Sequence, residues 1–99
     1  MAIIITGLTE CPLCGEVLLR GDDLVMFTHF ISDQGHPLWR FSDSGMHRGC
    51  FLAWPERERF IGLYNTACLA YPNADGFCRQ KRSDGTSFLL HPRTGETRA

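Results

Sequence analysis

Two short segments decide the fold of this chain: Cys11-Pro12-Leu13-Cys14-Gly15 near its start and His47-Arg48-Gly49-Cys50 at its middle. Each segment holds two thiol or imidazole side chains with two residues between them. Four such ligands, arranged as two pairs, match the closed tetrahedral site of a structural zinc ion. The sequence therefore predicts one structural zinc ion, bound by Cys11, Cys14, His47 and Cys50.

The spacing within each pair allows both of its members to reach one ion. A C-x-x-C turn brings two thiolates together, and Gly15 can take the positive φ that such a turn often needs after its second cysteine. His47 and Cys50 stand at i and i+3, a separation that places two side chains on one face of a helical turn. Because residues 42–44 (Ser-Asp-Ser) are good helix N-cap residues, we expect the second pair in the first turn of a helix.

A redox pair or a disulfide is the alternative use of Cys11 and Cys14. A thioredoxin-like site would need a strand before the motif and a helix beginning at its first cysteine, whereas residues 15–23 indicate a short strand and a turn. The count of five cysteines is odd, and no secretory signal precedes them, so a disulfide framework fits poorly. We prefer structural zinc and leave the other two interpretations open.

Length and composition set the class of protein. A chain of 99 residues with an apolar share of 43% predicts one globular domain, which we place at residues 1–91, followed by a flexible polar tail over residues 92–99. The core of such a domain is small, so we expect a bound metal to contribute much of its stability.

Charge and the first residues exclude several kinds of partner. The net charge is -1 with neutral histidines, whereas nucleic-acid binders of this size usually carry a basic excess. Residues 1–6 are apolar over too short a stretch, and lack the basic residues, for a signal peptide or a membrane span. We therefore expect no membrane partner, and the free thiols indicate a reducing cytoplasm.

The first half of the chain is predicted to be mainly β-structure. Residues 2–6 indicate a strand or a packed arm, and residues 16–20 a short strand after the first ligand pair. Residues 24–31 form the clearest strand by their alternation, and we expect residues 38–41 to return beside it as a hairpin. This hairpin would bring His47 back over the first ligand pair.

The second half of the chain is predicted to be a helix followed by a hairpin. Pro55 is unfavourable inside a helix but welcome at its first position, so we predict a second helix over residues 55–69. An Asp-Gly turn signal at residues 83–85 predicts a last hairpin, with strands at residues 77–82 and 86–90. The helix carries an apolar stripe, most simply core, of Phe60, Ile61, Tyr64, Ala67 and Cys68.

Other residues are weaker candidates for chemistry. His29, His36 and His91 are the possible catalytic bases, but a treble-clef nuclease would also need an open metal site and a histidine or asparagine from the helix, where only Asn65 is available. Cys68, Cys78 and His91 could contribute to a second metal site, although they lack paired spacing, and both cysteines are more simply buried apolar residues. We expect no enzyme activity.

Two surface features bear on possible partners. The aromatic group of Trp39, Phe41, Phe51 and Trp54 is explained by packing around a small metal site, unless two of them prove exposed together as interface anchors. The basic residues Arg79, Lys81 and Arg82 give a modest indication of contact with RNA or DNA.

The order of these elements resembles the treble-clef zinc finger, in which a knuckle, a β-hairpin and the first turn of a helix surround one ion. In ligand identity and order, the C-x-x-C and H-x-x-C pairs are similar to the first zinc module of LIM domains. Residues 15–46 separate the pairs, which is longer than the LIM pattern, and a longer helix stands where the second LIM ligand set would follow. The resemblance covers about residues 11–66 and implies an α+β fold with the zinc site at its centre.

The function that this resemblance and the residues imply is binding rather than catalysis. The chain looks like a small stand-alone zinc protein of bacterial type, and we expect a protein-binding module that acts as a small cytoplasmic adaptor or inhibitor. A bacterial immunity or antitoxin role is one version of this function, suggested by the small size and general character of the chain. A nucleic-acid-binding regulatory zinc finger is the alternative, and an HNH-like nuclease is the third interpretation.

Overall fold

Two helices and two small antiparallel sheets make up a mixed α+β fold in the computed structural model, which describes residues 4–99. The predicted α+β class is confirmed at this level. The chain divides into one unit that ends at Pro55 and a second that begins at Glu56. Our domain limits, residues 1–91 with a tail over residues 92–99, stay predictions.

The first unit holds the C-x-x-C turn, a β-hairpin and a short helix. Strand β1 (Leu24–Phe27) pairs antiparallel with β2 (Ser44–His47), and Val25 lies opposite Met46. Strand β2 leads directly into helix α1 (Arg48–Ala53). The core of this unit is formed by the buried side chains of Cys11, Leu18, Val25, Phe27, Ile31, Leu38, Met46 and Phe51.

The returning strand of this hairpin is not where the apolar pattern placed it. The prediction of a strand over residues 38–41 is wrong, because Trp39–Phe41 form a 3-10 helix and Ser44–His47 pair with β1 instead. His36 explains the helix, since its carbonyl accepts the first helical N–H at 3.0 Å and its Nδ1 accepts the N–H of Leu38 at 3.0 Å. These local bonds outweigh the β-propensity of the segment.

Strand β1 also ends earlier than predicted, at Phe27 rather than at residue 31. The hydroxyl oxygen of Ser42 accepts the backbone N–H groups of Phe30 at 2.9 Å and of Ile31 at 3.1 Å, which takes those groups out of any ladder. Asp43 beside it has a left-handed φ of 55°. The prediction that residues 42–44 cap a helix is therefore wrong, because Ser42 and Asp43 complete the connection between the two strands and Ser44 begins β2.

The segments around the C-x-x-C turn contain less regular structure than predicted. Residues 1–3 lie outside the described part of the chain, and so does part of the strand predicted over residues 2–6, while the remainder of that segment forms no strand. The strand predicted over residues 16–20 is reduced to a single bridge between Glu10 and Val17. Regular strand pairing in this segment is thus limited to the one bridge beside the C-x-x-C turn.

The second unit consists of one helix and a three-stranded sheet. Helix α2 (Arg57–Cys68) confirms that Pro55 separates two helices, but the prediction that Pro55 is the first helical residue is wrong, because the helix begins at Arg57 after its N-cap residue Glu56. Strands β3 (Cys78–Lys81), β4 (Ser87–Leu90) and β5 (Thr97–Arg98) follow in the antiparallel order β3-β4-β5. The core of this unit is formed by the buried side chains of Phe60, Ile61, Tyr64, Phe77 and Cys78.

The predicted C-terminal hairpin is confirmed, and the residues beyond it add a third strand. Leu90 pairs with Thr97, and the Arg98 guanidinium lies 3.9 Å from the ring centroid of Phe77. The ring of His91 meets the same Phe77 edge-on, with centroids 5.2 Å apart. The end of the chain, where we predicted a flexible tail, thus makes tertiary contacts that its polar composition did not indicate.

Asn65 joins helix α2 to strand β3. Its side-chain amide donates to the carbonyl of Lys81 at 3.1 Å and accepts the N–H of Lys81 at 2.7 Å. The Gln80 side chain donates to the backbone carbonyl of Asn65 at 3.0 Å. The one helical asparagine that a nuclease-type site would need is therefore used to hold the helix against the sheet.

Candidate metal centre

The C-x-x-C turn is closed by backbone hydrogen bonds. The Gly15 N–H donates to the carbonyl of Cys11 at 2.8 Å, and the Cys11 N–H donates to Glu16 at 2.8 Å. Gly15 has a φ of 80°, which confirms the prediction of a positive value there. The turn places Cys11 with no exposed surface and leaves Cys14 exposed.

The second ligand pair lies at the junction of a strand and a helix. His47 is the last residue of β2, opposite Leu24, while Cys50 is the third residue of α1. The prediction that both residues sit in one helical turn is therefore wrong for His47, whose φ of -60° and ψ of 134° are extended. The reason is the pairing of β2 with β1, which holds the backbone extended until Arg48, whose N–H donates to Asp23 at 2.9 Å.

The four predicted ligands come together into one cluster. The donor atoms of Cys11, Cys14, His47 and Cys50 all lie within 4.8 Å of one another. In a tetrahedral site with Zn–S about 2.3 Å and Zn–N about 2.0 Å, sulfur and nitrogen ligands are separated by about 3.5 Å. The Nδ1 of His47 lies 3.4 Å from the Cys14 Sγ and 3.9 Å from the Cys50 Sγ, so the arrangement fits one shared ion with Nδ1 as the nitrogen donor.

The pKa values of two thiols of the cluster, Cys50 and Cys11, are shifted in opposite directions from the usual value of a thiol. Burial, together with the neighbouring sulfurs of Cys14 and Cys11, which oppose a second negative charge, raises the pKa of Cys50 to about 11. Burial opposes ionisation of Cys11 too, but backbone hydrogen bonds from His47 and Leu13 outweigh it and lower the pKa of Cys11 to about 7. A cation shared by the sulfurs would remove the repulsion that keeps Cys50 protonated.

Each zinc ion that binds near neutral pH is expected to release at least about one proton, because thiols bind zinc as thiolates. The pKa of Cys50, about 11, means that its proton must be displaced. The pKa of Cys11, about 7, means that a second proton competes as the pH falls below that value, so affinity should decrease toward acid. Titration calorimetry in two buffers of different ionisation enthalpy measures the release, and equal heats in both would contradict it.

An acidic turn behind His47 was missed by sequence reasoning. The Asp22 Oδ2 lies 3.2 Å from the His47 Nε2, and the Arg48 Nε donates to the two oxygens of the Asp23 carboxylate at 3.1 and 3.0 Å. Burial lowers the pKa of His47, but the contacts with Cys11 and Asp22 raise it overall. The sequence signal is the pair of adjacent carboxylates after Gly21, which by itself indicates only a turn.

The weaker candidates are not brought into a second metal site. Within residues 4–99, the cluster described above is the only group of three or more nearby histidine, cysteine or carboxylate donors that could hold a metal ion. Cys78 is buried and its thiol donates to the carbonyl of Leu69 at 3.8 Å, while the His91 ring packs on Phe77. All five cysteines are free thiols. The interpretation of Cys78 as a buried apolar residue is thereby confirmed.

The aromatic group is mostly packed rather than exposed. Phe51 is fully buried, and the half-buried rings of Phe41 and Trp54 lie with their centroids 4.6 Å apart. Trp39, on the 3-10 helix, is 38% exposed. Core packing thus explains three of the four aromatic residues, and Trp39 is left as the exposed aromatic of the group.

The predicted basic cluster is partly withdrawn from the surface, since Arg79 and Arg82 are exposed but Lys81 is not. Lys81 is buried, and its ammonium donates to the carbonyl of Gly85 at 3.1 Å. The Arg82 guanidinium donates to the carbonyl of Ser87 at 3.0 Å and lies over the ring of Phe88. Two of the three charges are therefore engaged within the second unit.

No family model, curated protein or solved structure matches this chain. Among the described residues, no helix combines the length and the apolar character needed to cross a membrane. The mixed α+β fold and the Cys-Cys-His-Cys cluster are consistent with a zinc-finger-like module whose four donors can hold one metal ion.

Proposed function

We propose that the chain is a structural-zinc module that acts by binding another protein, as a small cytoplasmic adaptor or inhibitor. The observation that carries the proposal is the convergence of four donor atoms within 4.8 Å. Three thiolates and one imidazole suit zinc, and four protein donors fill its coordination sphere and leave no position for water or substrate. The ion would be held by Cys11, Cys14, His47 and Cys50, and its role would be structural rather than catalytic.

The order of elements around the cluster supports a treble-clef-like, LIM-like arrangement. A C-x-x-C turn comes first, the β1-β2 hairpin follows, and Cys50 lies in the first turn of α1. His47 departs from the expected pattern because it ends the strand rather than beginning the helix. The ligand geometry tolerates this departure, since the Nδ1 of His47 still faces the sulfurs of Cys14 and Cys50.

Exposed apolar side chains around the C-x-x-C turn support protein binding. Leu8 is 74% exposed and Leu19 is 53% exposed, on the two segments that flank the turn. The Arg40 guanidinium donates to the carbonyl of Pro12 at 3.3 Å, which ties the helix of Trp39 to the same turn. Large exposed apolar side chains, exposed tryptophan and exposed arginine are typical of interface anchors. A bacterial immunity or antitoxin role remains one version of this function.

The experiment is a pull-down of the tagged, zinc-loaded protein from its native lysate, with and without nuclease. We expect one stoichiometric polypeptide that survives nuclease treatment and is lost with Leu8→Glu and Leu19→Glu. Leu69→Glu is the matched control, because Leu69 is 44% exposed and belongs to the second unit. Recovery that depends on intact nucleic acid would overturn the proposal in favour of a nucleic-acid-binding protein, and a chain that binds no zinc would overturn its structural basis.

A further inference from the structure

We propose that Asp22 is a positioning residue for the metal centre: it holds the His47 imidazole with its proton on Nε2, so that Nδ1 presents a lone pair to the ion. This inference rests on the proposed zinc site and adds a residue that the ligand pattern does not contain. A ligand that the folded protein holds in the orientation the ion needs binds that ion more tightly.

The geometry gives the two imidazole nitrogens different partners. Nε2 of His47 lies 3.2 Å from the Asp22 Oδ2, and Nδ1 lies 3.4 Å from the Cys14 Sγ. A neutral imidazole has one N–H and one lone pair, and an ionised carboxylate can only accept. The tautomer that satisfies Asp22 is therefore the one with the proton on Nε2, which is also the tautomer that can bind an ion through Nδ1.

The carboxylate of Asp22 is itself held in place. The Leu19 N–H donates to the Asp22 Oδ2 at 2.7 Å, and the Asp22 N–H donates to the carbonyl of Leu19 at 3.1 Å. These two bonds close a tight turn that aims Oδ2 at the imidazole. The side chains of His47 and Asp22 are 20% and 29% exposed, so the contact is partly shielded from water. The orientation of His47 thus rests on a fixed acceptor rather than on a freely moving side chain.

The adjacent carboxylate provides a matched comparison. Asp23 carries the same charge one residue away, but its side chain is 73% exposed and pairs with Arg48 rather than with a ligand. Removing either charge changes the net charge near the site by the same amount. Only loss of Asp22 removes the acceptor for Nε2. Comparing variants at the two positions therefore distinguishes the positioning of His47 from a general effect of negative charge near the site.

The test measures Zn²⁺ affinity by competition with a chromophoric chelator for the wild type, Asp22→Ala, Asp22→Asn and Asp23→Asn. Loss of a carboxylate behind a histidine ligand commonly weakens metal binding by about 10- to 100-fold, and we expect this for Asp22→Ala. Asp22→Asn retains an accepting oxygen but forms a weaker, uncharged bond, so its affinity should lie between alanine and wild type. Asp23→Asn should stay within about fivefold of wild type, as expected for an exposed ion pair.

A second readout reports the imidazole directly. In the zinc-loaded protein, the Nε2 proton of His47 should be held by the acceptor at residue 22 and should give an NMR signal that exchanges slowly with water in the wild type and in Asp22→Asn. In Asp22→Ala this proton loses its acceptor and should exchange with water too fast to be observed. A general loss of stability would not single out this one proton, so the NMR result distinguishes positioning from a purely structural role.

The outcomes separate this inference from the proposed function. Wild-type affinity and an unchanged signal of the His47 Nε2 proton in both Asp22 variants would overturn the positioning role while leaving the zinc site intact. A wild-type chain that binds no Zn²⁺ would overturn the proposed function itself. If Asp22→Ala does not fold at saturating Zn²⁺, Asp22→Asn decides alone: weaker binding than wild type supports the inference, and equal binding overturns it.

Discussion

Cys50→Ser is expected to abolish stoichiometric zinc binding and to unfold the first unit. A serine hydroxyl stays protonated near neutral pH and cannot replace the thiolate that completes the four-ligand set. Structural zinc contributes on the order of 10 kcal/mol of apparent binding free energy, which exceeds what a small core supplies by itself. Both tryptophans, Trp39 and Trp54, lie in the first unit, so tryptophan fluorescence and metal analysis together measure the effect.

The control for this variant is Cys68→Ser, which removes a thiol outside the cluster. Cys68 is half-buried on helix α2 and belongs to the second unit. We expect this variant to keep one zinc ion for each chain and the fluorescence of the wild type. Full zinc content and an unchanged unfolding midpoint in Cys50→Ser would show that the cluster does not hold the ion.

Phe51→Ala is expected to lower the free energy of unfolding of the zinc-loaded first unit by about 3 to 5 kcal/mol. Phe51 has no exposed surface, and its ring centroid lies 5.7 Å from that of Phe27 and 6.4 Å from that of Trp54. Truncation would leave a cavity between helix α1 and strand β1, directly beside the ligand Cys50. Urea unfolding followed by tryptophan fluorescence at saturating zinc measures the change.

The neighbouring residue on the same helix provides the comparison. Leu52 is 42% exposed, and Leu52→Ala removes apolar atoms from α1 without opening a buried cavity. We expect its effect to stay within about 1 kcal/mol. If the two variants were equally destabilising, the core described around Phe51 would be wrong.

The features that could be predicted from the sequence are those with a local chemical cause. The four donors of the cluster were visible because each pair is complete within four consecutive residues, and three thiols with one imidazole suit few other purposes. Pro55 marked the boundary between the two helices because proline cannot continue a helix. The Asp-Gly sequence marked the C-terminal hairpin because its turn requires a positive φ, which Gly85 shows at 88°.

The features that could not be predicted depend on contacts between distant residues. Ser44–His47 has weak β-propensity and becomes a strand only by pairing with β1, whereas the more strand-like residues 38–41 are held in a 3-10 helix by His36. The contact of Asp22 with His47 spans 25 residues and leaves no periodic pattern in the sequence. The identity of the four ligands therefore does not indicate which other side chain hydrogen-bonds to one of them.

The amide of Asn65 has a consequence for how the second unit behaves when it is concentrated. The outer edge of a sheet presents unpaired N–H and C=O groups, which invite a strand from another molecule to extend the sheet. On β3 the groups of Lys81 are already taken by the Asn65 side chain, and the opposite edge, β5, is only two residues long. Neither edge strand therefore presents a long row of unpaired backbone groups, and this protects the sheet against edge-to-edge polymerisation.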